Sequence, residues 1–140
     1  MISPTSLLHP DAFLSPLAID QAVTRALDED LGRAGDITSI ATISETTKAH
    51  AVMVARQPGV IAGLPLAASV FATLCPDISL QAHVRDGAAV AAGVHLMTIS
   101  GSARAVLTGE RTAYFSRART PGVVFRVQQI RRRVPLVLRT

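Results

Sequence analysis

Cysteine, lysine and tryptophan are almost missing from the 140 residues, which hold one Cys, one Lys and no Trp. A single thiol, Cys75, excludes an internal disulfide and a cysteine-based metal cluster. It closes the apolar run 70–75 and is expected as a buried thiol, not a nucleophile. Aromatic residues make up 4% of the chain, against 22 alanines, which predicts a core of small side chains. Such a core buries little area per residue, because large aromatics supply the biggest individual areas. Moderate stability without a partner follows. No stretch approaches the roughly 18 apolar residues of a membrane span. Residues 1–5 lack the basic flank and long apolar run of a secretion signal. The expectation is a soluble, cytoplasmic protein with no membrane partner. The histidines His9, His50, His83 and His95 lack metal-ligand spacing, and His50 and His83 alternate within strands as surface positions do.

Acidic residues are missing from one region only. Residues 1–110 carry 6 Arg/Lys and 10 Asp/Glu, a net −4. Residues 111–140 carry 8 Arg and no acid, a net +8, so the overall +4 hides two unlike parts. A basic tail on an acidic body can signal nucleic-acid binding. Here no recognition motif accompanies it, and few aromatics are interleaved for base stacking. The expected affinity is salt-sensitive and blind to sequence, with no specific nucleic-acid partner.

The length suits a single domain. Residues 1–14 read as an irregular leader. Ser15-Pro16 then resembles an N-cap with proline at the first helical position. Leu17, Val23, Ala26, Leu27 and Leu31 predict an apolar helical stripe that Gly32 ends. Arg33 to Thr38 is expected as a loop in which Asp36 and Thr38 bond nearby amides. Residues 48–56 predict a strand, Pro58-Gly59 a turn, and residues 60–62 a second short strand. Pro65 can open a helix through Cys75, with Leu66, Val70, Phe71 and Leu74 inward. Ile78, Leu80, Ala82 and Val84 alternate with polar residues as in a half-buried strand. Asp86-Gly87 is a hairpin signal. Residues 94–99 predict another strand, and Gly101-Ser102 a cap on a helix from Ala103 to about Phe115. Helix, strands, helix, strands, helix is the order of an α+β layer, an antiparallel sheet with helices on one face. Ser116 to Gly122 should break any helix, and residues 123–130 are too weakly periodic to predict an element.

Five phrases now line up: Ala26–Gly32, Gly35–Ser39, Ala55–Pro65, Asp86–Gly93 and Gly101–Ala113. In that order and spacing, over residues 17–113, the chain resembles the amino-terminal domain of quinolinate phosphoribosyltransferases, the carboxylating nicotinate-nucleotide pyrophosphorylases. The resemblance implies an open-faced α/β sandwich, followed in the family by an incomplete α/β barrel that holds most of the active site. It also implies the family's reaction, in which quinolinate and phosphoribosyl pyrophosphate, with Mg²⁺, give nicotinate mononucleotide, pyrophosphate and CO₂ for NAD synthesis. A homo-oligomer is implied too, with one subunit's first domain closing over its neighbour's barrel. Substrates carrying carboxylates and phosphates suit arginine, whose planar fork donates paired, charge-assisted hydrogen bonds.

By this resemblance Arg111, in the phrase Glu110-Arg111-Thr112, is expected to bind a quinolinate carboxylate in an adjacent subunit's site. From the residues alone it reads equally as an exposed helical arginine. Glu110 could orient Arg111 or be a solvated carboxylate. Arg104 and Arg56 are weaker ligand candidates, and Asp36 and Thr38 are better read as loop caps.

The resemblance stops after Ala113. The family continues with Leu-Asn-Phe and a Ser-Gly phrase into the barrel, whereas here Tyr114-Phe115 leads to Ser116–Gly122, where the arginine enrichment sets in. The expected division is a family-like domain at 1–113 and a basic tail at 114–140, disordered or frame-shifted, as a truncated gene would give. With the barrel missing, the Mg²⁺ ligands would be missing as well, and the chain alone is expected to be inactive. Two further readings stay open: a non-catalytic fragment or partner subunit, and a ModD-like relative of the same fold. A biotinyl or lipoyl carrier is excluded, since Lys48 is far from any hairpin tip that such attachment needs.

Overall fold

Ser15 stands in extended conformation and its Oγ accepts from Ala18 N at 3.1 Å, so helix α1 (Pro16–Leu31) begins with a side-chain cap and proline in its first turn. It ends at Gly32, whose φ of 51° is open to glycine at little cost. The computed structural model describes residues 15–118 and 125–131. The buried stripe of α1 is Ile19, Val23 and Leu27, each four residues from the next. Leu17, expected in that stripe, is 65% exposed. Six residues separate it from Val23, which on a 3.6-residue turn carries it to another face.

A second helix, α2 (Ile37–Thr42), occupies part of the stretch expected as loop. Asp36 caps it, as its side-chain chemistry predicts, but six residues are too few to show a periodicity. Strands β1 (Lys48–Ala55) and β2 (Gly59–Val60), helix α3 (Leu64–Leu74), strands β3 (Ser79–Ala82), β4 (Ala89–Val90) and β5 (His95–Ser102), helix α4 (Ala103–Ala118) and strand β6 (Phe125–Arg131) follow.

The main sheet has the order β3-β5-β1-β6, antiparallel throughout, and β2 pairs with β4 in a small separate ribbon. Register separates the faces. Leu80, Ile99 and Ala51 lie in one row and are buried. The neighbouring row of Ser79, Ser100 and His50 belongs to the opposite face, where His50 and His83 are exposed. The expected open-faced layer of sheet and helices is therefore present. Helix α4 lies on β1 and β5, α3 packs on α4, and α1 packs on α3. The larger core joins the sheet to α3 and α4 around Phe71, Leu96, Met97 and Ile99, and a smaller one joins Ile19, Val23 and Leu27 of α1 to Val70 of α3. Each fully buried side chain of this size contributes about 1.5–3 kcal/mol.

Further expectations change. Asp86-Gly87 closes no hairpin, because β3 pairs with β5 and β4 with β2. Instead Asp86 reaches back to accept from Gly63 N at 2.9 Å and Leu64 N at 3.0 Å, capping α3, whose own N-cap glycine has no side chain to do so. Cys75 is only half-buried, since it sits at the C-cap of α3 and not inside it. Helix α4 continues to Ala118, past the expected end near Phe115. Arg117 and Ala118 are good helix formers, and the breaking pair Pro121-Gly122 comes later in the chain. In the stretch too weakly periodic to predict an element, β6 adds to the free side of β1. An edge strand is held by backbone pairing, which leaves little trace in side-chain pattern.

Candidate functional site

Arg104, Thr108 and Arg111 are spaced i, i+4, i+7 and so form one stripe along α4, the stripe that faces α2. Each does something different. Arg104 donates from Nε to the carbonyl of Ile43 at 2.8 Å and from an Nη to that of Ile40 at 3.3 Å. These belong to the C-terminal end of α2, where helix carbonyls lack partners and a cation is favoured. Thr108, only 7% exposed, donates from Oγ1 to Asp36 Oδ2 at 2.7 Å. Arg111 is exposed and makes no hydrogen bond or ion pair with any described residue.

Asp36 is the centre of this shoulder. Its Oδ1 accepts from Ser39 N at 3.1 Å, and its Oδ2 accepts from Ser39 Oγ at 2.7 Å as well as from Thr108. The Ser39 and Thr108 hydrogen bonds hold the carboxyl below its ordinary value against the opposing effect of burial, and the positive charge of Arg111 adds to this. Carboxylate and guanidinium thus share one side of α4, with the guanidinium donors open to an incoming anion.

On the inward side of α4, Gly109 brings the helix against α3 so closely that a β-carbon there would stand 2.5 Å from two ring carbons of Phe71. Glu110 is half-buried, and its burial pushes its carboxyl up. It makes no hydrogen bond with a described residue, so a role in orienting Arg111 has no contact behind it.

The other candidates lie elsewhere. Arg56 is exposed just past the end of β1 and is not gathered with Arg111. Thr38 is exposed in α2, where its carbonyl accepts from Thr42 Oγ1 and its own hydroxyl caps nothing. His50 Nδ1 lies 2.6 Å from Ser100 Oγ, and His83 Nε2 lies 2.8 Å from Thr98 Oγ1, both on the open sheet face. His95 is exposed at the start of β5, and His9 lies outside the described residues. Among the described residues no three His, Cys, Asp or Glu side chains gather as metal ligands, and no helix is long and apolar enough to cross a membrane. Ser39 and Thr108, which tie the shoulder together, are absent from the candidates that sequence reasoning produces. The Asp-x-x-Ser spacing of a capped helix could have pointed to Ser39, but nothing local could have pointed to Thr108, 72 residues away.

Residues 36–114 match the family model described as quinolinate phosphoribosyl transferase, N-terminal domain. A nicotinate-nucleotide pyrophosphorylase (carboxylating) of Mycobacterium leprae is 39% identical over 97 residues, which cover 68% of this chain and 34% of that protein. The chloroplastic enzyme of that name from Oryza sativa is 33% identical over 101 residues, covering 72% of this chain and 27% of that one. Among solved structures, NadC from Streptococcus pyogenes superposes with a TM-score of 0.68 at 30% identity, covering 74% of this chain and 36% of the other. The chain spans about a third of the length of these relatives.

Proposed function

The chain belongs to the quinolinate phosphoribosyltransferase family, and on that premise we propose that it serves phosphoribosyl transfer to quinolinate by supplying Arg111 to an anion pocket that another protein surface mostly builds. The observation that carries this reading is the position of Arg111, exposed on the shoulder of α2 and α4, with its donors uncommitted among the described residues and within the matched stretch. A guanidinium so held can grip a carboxylate of quinolinate through two parallel hydrogen bonds. The partner surface is a family barrel, contributed by a barrel-bearing subunit in a mixed assembly. It would hold phosphoribosyl pyrophosphate and the rest of quinolinate.

Departure of pyrophosphate leaves positive charge growing on the ribose carbon and negative charge on the leaving group, which cations must offset. We propose that the Mg²⁺ expected from the family is held by that partner surface, since the described residues offer no cluster of ligands for it. With a single lysine in the whole chain, the 140-residue polypeptide alone forms no nicotinate mononucleotide from the two substrates. We also place the protein in the cytoplasm, whose reducing conditions suit a lone free cysteine.

Titration of quinolinate into a mixture of this chain and a barrel-bearing family subunit tests the proposal. The subunit carries alanine in place of its own corresponding arginine, so that any guanidinium in that position comes from this chain. Arg111→Ala should weaken quinolinate binding by about 1.5–3 kcal/mol, the usual effect of losing a hydrogen bond to a charged group. An unchanged affinity would show that Arg111 does not touch the substrate.

A further inference from the structure

We propose that Asp36 is a positioning residue for Arg111, its carboxylate clamped between the first turn of α2 and Thr108 so that the guanidinium is held over the shoulder where the two helices meet. The inference rests on the reading of Arg111 as a substrate ligand and adds the residue that aims it.

Three observations carry it. First, the carboxylate cannot swing: it accepts from Ser39 N, Ser39 Oγ and Thr108 Oγ1 at 3.1, 2.7 and 2.7 Å. A carboxylate offers about four lone-pair sites, so most of its capacity is already committed and its place is fixed from both helices. Second, Thr108 lies three residues before Arg111. Long side chains on a helix lean towards the N-terminus and cover the turn that precedes their own Cα. An Arg111 stem with that lean covers the turn to which Asp36 is attached through Thr108. Third, Asp36 and Arg111 form no direct ion pair within bonding distance among the described residues, yet the guanidinium is near enough for its charge to help keep the Asp36 carboxyl ionised. A closed pair would occupy the donors of Arg111. A nearby fixed charge instead restricts the sweep of an exposed side chain and leaves its fork free. Exposed arginines otherwise have considerable rotamer freedom to lose on binding, so a preset direction favours the bound state.

The second link of α2 to α4 supports the same geometry. Arg104 binds the carbonyls of Ile40 and Ile43 at the far end of α2. With Asp36 fixed at one end and Arg104 at the other, α2 cannot slide along α4, and the charge of Asp36 stays in register with Arg111.

The test is a double-mutant cycle read by calorimetric titration of quinolinate in the mixed assembly described above. Asp36→Asn keeps the shape and removes the charge; it should weaken quinolinate binding about three- to tenfold, within the range that coupled neighbours give. Thr108→Val should do the same by releasing the clamp, and Thr108→Ser should retain wild-type affinity because the hydroxyl is kept. On the Arg111→Ala background, Asp36→Asn should change affinity by less than about twofold, since the group it positions is gone. If Arg111→Ala weakens binding while Asp36→Asn and Thr108→Val do not, the positioning role is wrong and the role of Arg111 survives. If Asp36→Asn weakens binding equally with and without Arg111, Asp36 acts by another route and the proposal fails. An Arg111→Ala variant with unchanged affinity removes the underlying reading instead. Should Asp36→Asn fail to fold, as circular dichroism would reveal, the contrast between Thr108→Val and Thr108→Ser decides the matter.

Discussion

The two sides of helix α4 are built on opposite principles. Towards α3 it is apolar and closely fitted, with Gly109 against the ring of Phe71 and Val106 and Ala113 buried. Towards α2 it is polar and joined by a few long-range side-chain hydrogen bonds from Arg104 and Thr108. The first side is held by contact area and shape, which fail when atoms are removed or added. The second is held by directed bonds in partial contact with water, each worth about 0.5–1.5 kcal/mol net. Stability is therefore concentrated on one face of the helix, and the other is free to present charge.

The inner side should give the largest effects. Phe71→Ala should cost about 3–5 kcal/mol in chemical denaturation, as expected for a buried aromatic reduced to alanine. Gly109→Ala should cost about 1–3 kcal/mol, because the added β-carbon collides with a fully buried ring. The two changes address one contact, so Gly109→Ala should cost distinctly less on the Phe71→Ala background. Equal costs in both backgrounds would mean that the helices are not limited by this approach.

The outer side should respond more weakly. Arg104→Ala removes two hydrogen bonds to the carbonyls of Ile40 and Ile43 at the partly exposed end of α2, so the loss should be about 1 kcal/mol. A loss as large as that of Phe71→Ala would erase the contrast drawn between the faces.

How much of this was legible in the sequence follows the same division. Alternation exposes a strand's inner face, and Leu80 and Ile78 could be read without the fold. The α+β order is legible from periodicity and turn signals, and Arg111 as a candidate from phrases that keep family spacing. Contacts that cross the chain left no local sign. Asp86 carries the turn chemistry of a hairpin yet caps a helix that starts 22 residues earlier, and a short-range rule cannot see which donors lack a partner. The shoulder is a similar case, since the link from Thr108 to Asp36 exists only once α2 and α4 are side by side. Strand β6 leaves no pattern in the sequence because backbone pairing, not side-chain alternation, holds it.

The smallest expected effect separates the two capping carboxylates, Asp36 and Asp86, by the sign of their response to acid. Hydrogen bonds from Ser39 and Thr108 hold the Asp36 carboxyl below its ordinary value of 3.8. Its ionised form is thus favoured by folding. That contribution is complete above the unfolded-state value, near 3.8, and is lost as pH falls through the lower folded-state value. Burial instead pushes the Asp86 carboxyl above 3.8, with its two amide hydrogen bonds only partly opposing. Folding then favours the protonated form, so its contribution is complete below about 3.8 and declines as pH rises through the higher folded-state value. Denaturation curves taken between about pH 2.5 and 6 should reveal this. Asp36→Asn should flatten the loss of stability on the acid side of 3.8, and Asp86→Asn should remove a decline on the alkaline side of it. The same direction of change in both variants would mean that the two caps, one on the polar shoulder and one at the head of a buried helix, do not differ in the way their surroundings require.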